Sequence, residues 1–131
     1  IIGFKKMQTG QSGGVTLIGT IAAFSGSLLL VIAGNSIWEI FGYGSSLDNT
    51  ILTLIILFGF IGSIVDSILG ELWQVQYKCI KCGKITERRS HCDEKTTYSK
   101  GFTFLNNDMV NFLSTLISAL FLLAFYFILY I

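Results

Sequence analysis

Four side chains able to hold a soft metal ion fall within a stretch of 14 residues: Cys79, Cys82, His91 and Cys92. They include every cysteine and the single histidine of the chain. Cys79-Ile80-Lys81-Cys82-Gly83 has the Cys-x-x-Cys-Gly spacing of a knuckle turn, in which two thiolates grip one zinc ion; His91 and Cys92 would complete a Cys₃His tetrahedron. Four ligands leave no open coordination position, so the expected role is structural. Two readings stand beside zinc: a Cys79–Cys82 redox pair, or three reduced thiols. An adjacent His-Cys pair is also a tight fit for two ligands of one ion, and a ribbon more often ends in a second Cys-x-x-Cys.

A second group is acidic and amide-bearing: Asp66, Asn107, Asp108 and Asn111. Magnesium is satisfied by one or two carboxylates together with phosphate oxygens and water, so Asp66 and Asp108 are candidate magnesium ligands. Gly13-Gly14 lead into an apolar run that begins with Val15-Thr16. A glycine-rich entry to a helix N-terminus presents bare N–H groups to an anion, which makes Gly13, Gly14 and Thr16 candidate phosphate contacts. Each of these has a plainer reading. Gly13-Gly14 can be loop punctuation, Asn107 and Asp108 can cap a helix, and Asp66 can be an acid that ends a membrane span.

The elements that must position these groups are three long apolar runs. Val15–Gly34 (20 residues) and Met109–Ile131 (23) carry no charge; Ile51–Gly70 (20) carries only Asp66 in its last turn. About 20 residues suffice to cross the hydrocarbon core. The composition agrees: 52% of residues are hydrophobic and 13% charged, against about 25% charged in soluble domains. The expected fold is therefore an all-α membrane protein of three transmembrane helices. Its segments would be residues 1–70 (lead and two helices), 71–108 (a Cys/His knuckle insertion) and 109–131 (the third helix). The outer loop, Asn35–Thr50, would set Trp38 and Tyr43 at the interface.

All nine Lys and Arg residues lie in two places: Lys5 and Lys6 before the first run, and Lys78, Lys81, Lys84, Arg88, Arg89, Lys95 and Lys100 between the second and third. Positive charge stays inside during insertion, so the N-terminus and the insertion are expected in the cytoplasm and the C-terminus outside, in a multi-pass protein of the cell membrane. That topology brings the start of helix 1, the end of helix 2 and the start of helix 3 to one face, with Thr16, Asp66, Asp108 and Asn111 at similar depth. The basic residues could attract phosphates or anionic headgroups, or form a solvated face. A net charge of +1 gives no reason to expect nucleic acid. Each span also carries a stripe of small or polar residues. Thr16, Thr20, Ala23 and Ser27 form the first; Gly59, Gly62, Asp66 and Gly70, with Ser63 and Ser67 alongside, the second; Asn107, Asn111, Ser114 and Ser118 the third. Close helix packing explains the small residues deep in the membrane.

Three ordered motifs carry a family resemblance: Thr9-Gly10-Gln11-Ser12-Gly13-Gly14-Val15-Thr16, Gly62-Ser63-Ile64-Val65-Asp66-Ser67-Ile68-Leu69-Gly70 and Asn106-Asn107-Asp108-Met109-Val110-Asn111. Together they resemble the integral-membrane family that includes plant phytyl-phosphate kinase and eukaryotic transmembrane protein 19. Gln74–Cys92 is similar to the zinc-knuckle insertion of its prokaryotic members. The resemblance implies a kinase that moves a nucleotide's terminal phosphate, from CTP or ATP, onto an isoprenyl monophosphate. Asp66, Asp108 and Asn111 would then be catalytic, with magnesium on the two carboxylates. Gly13, Gly14, Thr16, Ser67, Gly70 and Asn107 would contact phosphate. The family's N-terminal membrane half, with its own acidic motif, has no counterpart here, so the expected partner is that half or a second subunit. The first residue is Ile rather than Met, consistent with a fragment or processed product. A standard P-loop is excluded, since no Gly-x₄-Gly-Lys-Ser/Thr occurs. The competing functions are a transporter or carrier subunit, and a non-catalytic assembly subunit that docks a partner through its knuckle.

Overall fold

A computed structural model describes residues 13–44 and 47–131. Lys5, Lys6 and the Thr9-Gly10-Gln11-Ser12 part of the first motif lie outside the described residues. Three helices of 24 residues each are present: α1 (Leu17–Ile40), α2 (Asn49–Leu72) and α3 (Asn107–Tyr130). At 1.5 Å per residue each is about 36 Å long, enough to cross a hydrocarbon core of about 30 Å with some tilt. All three are long and apolar enough to span a membrane. Large side chains such as Leu17, Ile18, Leu30, Phe112, Leu120 and Ile128 are exposed on them. In lipid that surface is solvated by acyl chains, and the helix is the form that satisfies its own backbone there.

The helix ends follow from local hydrogen bonds. Thr16 is the N-cap of α1, in extended conformation, its Oγ1 accepting from the Gly19 N–H at 3.0 Å. The first span was expected to stop at Gly34; α1 instead continues to Ile40. Its polar residues find partners without breaking the helix: Asn35 Nδ2 donates to Glu39 Oε1 at 3.0 Å and Ser36 Oγ to the Ile32 carbonyl at 2.9 Å. The outer loop is correspondingly shorter than Asn35–Thr50. Trp38 lies on the helix, its ring 5.4 Å from that of Tyr43. Asp48 starts α2, one carboxylate oxygen accepting from the Thr50 N–H at 3.0 Å.

The chain divides into two compact units. One comprises residues 16–64 and 115–131. Within it α1 meets the first part of α2 at a small-residue contact. Ser27 Oγ donates to the Ile56 carbonyl at 3.0 Å, and a Cβ at Gly59 would collide with that same oxygen. Phe24 and Phe60 pack edge to face at 5.7 Å, and Phe58 packs on Phe125 at 5.3 Å. The other unit comprises residues 65–114 and the described residues that precede Thr16. Its core is small: Leu69, Val75, Cys79, Leu105 and Val110 are its buried apolar side chains. Between the ends of α2 and α3 run five short strands: β1 (Gln76–Lys78), β2 (Ile85–Thr86), β3 (Ser90–His91), β4 (Glu94–Lys95) and β5 (Thr97–Lys100). They form an antiparallel sheet in the order β2-β1-β5 and a separate hairpin β3-β4. The sheet is tied to the helix ends by Val75 N–H to the Leu105 carbonyl and Phe102 N–H to the Trp73 carbonyl, both at 2.9 Å.

Candidate metal centre and polar face

The first two metal-binding candidates come from the turn between β1 and β2. The Cys79 N–H donates to the Lys84 carbonyl and the Gly83 N–H to the Cys79 carbonyl, each at 2.9 Å. Gly83 has φ +71°, a conformation that favours glycine and lets the turn close behind Cys82. The other two come from the β3-β4 hairpin. His91 pairs with Glu94, so Cys92 and Asp93 form a two-residue turn, with φ +56° and +62°. Positive φ at both central residues is what a type I′ hairpin needs. Chain reversal at Cys92 removes the difficulty of adjacent ligands, because it folds Cys92 Sγ back to 3.1 Å from His91 Nδ1.

The four ligand atoms all lie within 4.8 Å of one another. Cys82 Sγ is 3.5 Å from His91 Nδ1 and 3.8 Å from Cys92 Sγ. A tetrahedron with Zn–S of about 2.3 Å and Zn–N of about 2.0–2.1 Å has edges of roughly 3.8 Å (S···S) and 3.6 Å (S···N). The two Cys82 distances match those edges and the Cys92–His91 distance is shorter, so this donor set could hold a structural metal such as zinc, with His91 Nδ1 the nitrogen nearest the thiols. Among the described residues this is the one group of three or more His, Cys, Asp or Glu side chains gathered closely enough to hold a metal.

The thiols differ in acidity. The Cys82 N–H donates to Cys79 and, with His91 and Cys82 side-chain contacts, lowers its pKa from the usual 9.0 to about 6 despite burial. Hydrogen bonding to Cys82, with burial and the neighbouring thiolates, raises Cys92 to about 11. Three thiols crowded together cannot all ionise without a cation to offset their charge. Cys79 is 1% exposed and anchors the cluster to the sheet, whereas Cys82 and Cys92 are exposed.

The acidic and amide residues are arranged on α2 and α3 of the same unit. Asp66, half-buried, accepts from the buried Ser114 hydroxyl at 3.3 Å, and Ser114 Oγ is also 3.0 Å from the Asn111 carbonyl. The carboxylate of α2 is thereby tied to the second turn of α3. The cap of α3 is Asn106: its side-chain oxygen accepts from the Met109 N–H at 2.9 Å and its carbonyl from the Val110 N–H at 3.0 Å. Capping therefore falls to neither Asn107 nor Asp108, which lie in the first helical turn. Asp108 is exposed there, where a negative charge suits the helix dipole. Six residues of helix separate it from Ser114, so it lies about 120° around α3 from that residue.

The glycine lead is described from Gly13 onward. Gly13 has φ +80°, and its backbone presses on the last turn of α2: a Cβ there would collide with Glu71 Cβ and lie 2.8 Å from its Cα and N. The adjoining Gly70 is buried and Ser67 half-buried; Gly14 is exposed. Thr16 belongs to the other unit, with its Oγ1 engaged in capping α1.

Several polar residues with no expected role stand beside these. Lys100 Nζ donates to the Glu71 carbonyl at 2.9 Å and lies 3.6 Å from Glu71 Oε1. Gln76 is the direct cross-strand partner of Lys100, and Gln74 and Gln76 are each 3% exposed. Gly101, at φ +88°, presses on the Gln74 carbonyl and the Val75 nitrogen. In the sequence these are ordinary polar residues of a polar insertion, with no motif to mark them.

No solved structure matches this chain. It is 29% identical over 121 residues to Protein PGR of Arabidopsis thaliana, an alignment covering 88% of this chain and 41% of that protein. The match thus spans less than half the length of this relative. A family model described as "Integral membrane protein DUF92" matches residues 1–119. With three helices able to span a membrane and the three ordered motifs falling inside that match, the chain belongs to the DUF92 family of integral membrane proteins.

Proposed function

We propose that this protein contributes the phosphoryl-transfer face of a membrane-embedded isoprenyl monophosphate kinase, with its insertion and helix ends toward the cytoplasm. The observation that carries the reading is the Ser114–Asp66 hydrogen bond, which fixes a carboxylate of α2 against the N-terminal part of α3. The chemistry of the donors supports it further. An ionised carboxylate has about four lone-pair sites, so one hydroxyl donor leaves Asp66 able to ligate a hard cation. Asp108 supplies a second carboxylate from the exposed first turn of α3, and Asn107 and Asn111 supply amides for phosphate oxygens. These are the donor types magnesium takes, since it accepts one or two carboxylates and completes its shell with phosphate and water. When bound, magnesium would neutralise charge on the transferring phosphate and its leaving group.

The residues of the chain would do the positioning. An oxygen of the acceptor's phosphate attacks the terminal phosphorus of the nucleotide, CTP in the first instance. A new P–O–P bond forms, the bond from that phosphorus to the bridging oxygen breaks, and the nucleoside diphosphate leaves. The product is an isoprenyl diphosphate. The acceptor is already an oxyanion near neutral pH, so catalysis needs alignment and charge compensation more than a strong base. Gly14, exposed and without a side chain, would offer backbone to a phosphate, Gly13 would hold that lead against the end of α2, and Ser67 would add a hydroxyl. The insertion's seven basic residues would draw anionic substrates to this face. The test is to express the protein from its whole open reading frame and incubate the membranes with CTP or ATP and geranylgeranyl or phytyl monophosphate. Formation of the diphosphate, dependent on magnesium, supports the reading. Solute flux in proteoliposomes without any phosphate transfer would replace it with a carrier.

A further inference from the structure

Three buried polar atoms cluster in sequence beside this face with no hydrogen-bond partner: Glu71 Oε2, Gln74 Nε2 and Gln76 Nε2. Orphaned buried polar groups, here one acceptor and two donors, are uncommon in folded proteins, since each forfeits its hydration for nothing. The backbone brings them together. Gln74 and Gln76 are two apart in an extended segment, so their side chains leave the same face. Gln76 pairs with Lys100 at a bulge in the β1-β5 ladder, which sets the two residues opposite one another. Lys100 Nζ in turn reaches Glu71, at the end of α2. Two glycines close the flanks: Gly13 presses its backbone on Glu71, and Gly101 presses on Gln74 and Val75, both at positive φ. Side chains at either position would push these elements apart.

We propose that Gln74, Gln76 and Lys100 form a seat for a phosphoryl group. The chemistry is that of an anion acceptor. Each primary amide offers two N–H donors, and the Lys100 ammonium, already donating to the Glu71 carbonyl and 3.6 Å from Glu71 Oε1, has a further N–H to offer. Gln74 and Gln76 are each more than nine-tenths buried, and Lys100 is half-exposed, so the seat has two dry donors and one cation at its mouth. The Glu71 oxygen left without a partner would accept a proton donor of the same ligand, such as a phosphate OH or a metal-bound water. The seat rests on the kinase reading only for the source of the phosphate, which is either the nucleotide or the lipid headgroup.

The experiment measures binding of inorganic phosphate, by thermal shift and by side-chain ¹⁵N resonances of glutamine, to the detergent-solubilised protein and its Gln76→Leu, Gln74→Leu and Lys100→Met variants. Gln76→Leu should weaken phosphate binding about tenfold or more, because a hydrogen bond to a charged group is lost. Its melting temperature without phosphate should be no lower than that of the parent, because an unpartnered buried amide has become apolar. Retention of the parent's phosphate affinity in Gln76→Leu would overturn the seat. Should that variant fail to fold, the glutamine Nε2 resonances of the parent decide: they move on phosphate addition if the seat is real, and stay fixed if buried water serves the amides. Competition names the source. Displacement by CTP assigns the nucleotide and displacement by geranylgeranyl monophosphate assigns the acceptor; displacement by neither reduces the site to an adventitious ion only and overturns the proposal. Phosphate binding through Gln76 that either competitor displaces, in a protein with no kinase activity, upholds the seat and rejects the kinase. Kinase activity with unchanged KM in Gln76→Leu does the reverse.

Discussion

Replacing Cys82 by alanine isolates the contribution of a metal from that of packing. Cys82 is exposed, so its truncation removes no buried contact. Any loss of structure must come through the ligand cage, where Cys82 Sγ stands 3.8 Å from Cys92 Sγ and 3.5 Å from His91 Nδ1. Apart from the ligand Cys79, the buried apolar side chains between the helix ends are Val75 and Leu105. At about 1.5–3 kcal/mol each they contribute roughly 3–6 kcal/mol. A structural zinc in a small domain binds with an apparent 10–16 kcal/mol, all of it available to folding. The metal is therefore the larger source of order for the insertion. If the four ligands share that energy evenly, removing one costs about 2.5–4 kcal/mol, or roughly a hundred- to a thousandfold in zinc affinity. Hydrogen exchange is the assay. The Cys79 and Thr96 amides, bonded to the Lys84 and Arg89 carbonyls, and the β1-β5 ladder should be protected in the zinc-loaded parent. They should exchange rapidly after chelation, and in Cys82→Ala with equimolar zinc, while amides of α1 to α3 stay protected. A Cys82→Ala protein as protected as the parent would refute the structural metal.

Zinc uptake should release protons. Cys92, held near 11 by its hydrogen bond to Cys82, is protonated at pH 7.5 and must ionise to ligate, whereas Cys79, lowered to about 6, is largely thiolate already. Calorimetry in buffers of different ionisation enthalpy should find at least one proton released at pH 7.5, and none would contradict the assignment of Cys92. In the metal-free protein the depressed Cys79 pKa adds stability that is full above pH 9 and is lost as pH falls through about 6. Asn106→Ala should cost about 1 kcal/mol, read as faster exchange confined to the first turn of α3, because it removes the cap on the Met109 N–H. Gly101→Ala should destabilise by at least about 2 kcal/mol in a thermal melt. The left-handed conformation costs an L residue about 1–2 kcal/mol, and the new Cβ meets backbone that cannot move aside.

The three spans were legible because lipid imposes a length and a polarity that few other environments require, and runs of 20 to 23 apolar residues meet both. Their ends were less so. α1 continues through Asn35 and Ser36 because those side chains bond within the helix, a choice that composition does not reveal. The cap of α3 fell on Asn106, one residue before the pair proposed for it, since three consecutive Asn and Asp residues are equivalent until the helix start is fixed. The metal ligands were visible from residue type alone, but their compatibility was not. His91 and Cys92 can share one ion only because Cys92-Asp93 adopts a turn whose usual signature is Asn-Gly. Gln74, Gln76 and Lys100 carried no signal at all. Their juxtaposition arises from a strand pairing of residues 24 apart, between 76 and 100, and long-range pairing is what a single sequence conceals.

The kinase proposal stands or falls on whether Asp66 and Asp108 hold a cation on which phosphate transfer depends. The direct measurement is transfer of labelled terminal phosphate from CTP to geranylgeranyl monophosphate by membranes containing the parent protein, Asp66→Asn or Asp108→Asn at equal abundance. Each substitution keeps the shape of the side chain and removes its charge. If the two carboxylates hold that cation, transfer should fall at least about a hundredfold in each variant, comparable to removing one preorganised electrostatic contact from an active site. Parent-level transfer in both variants would contradict it.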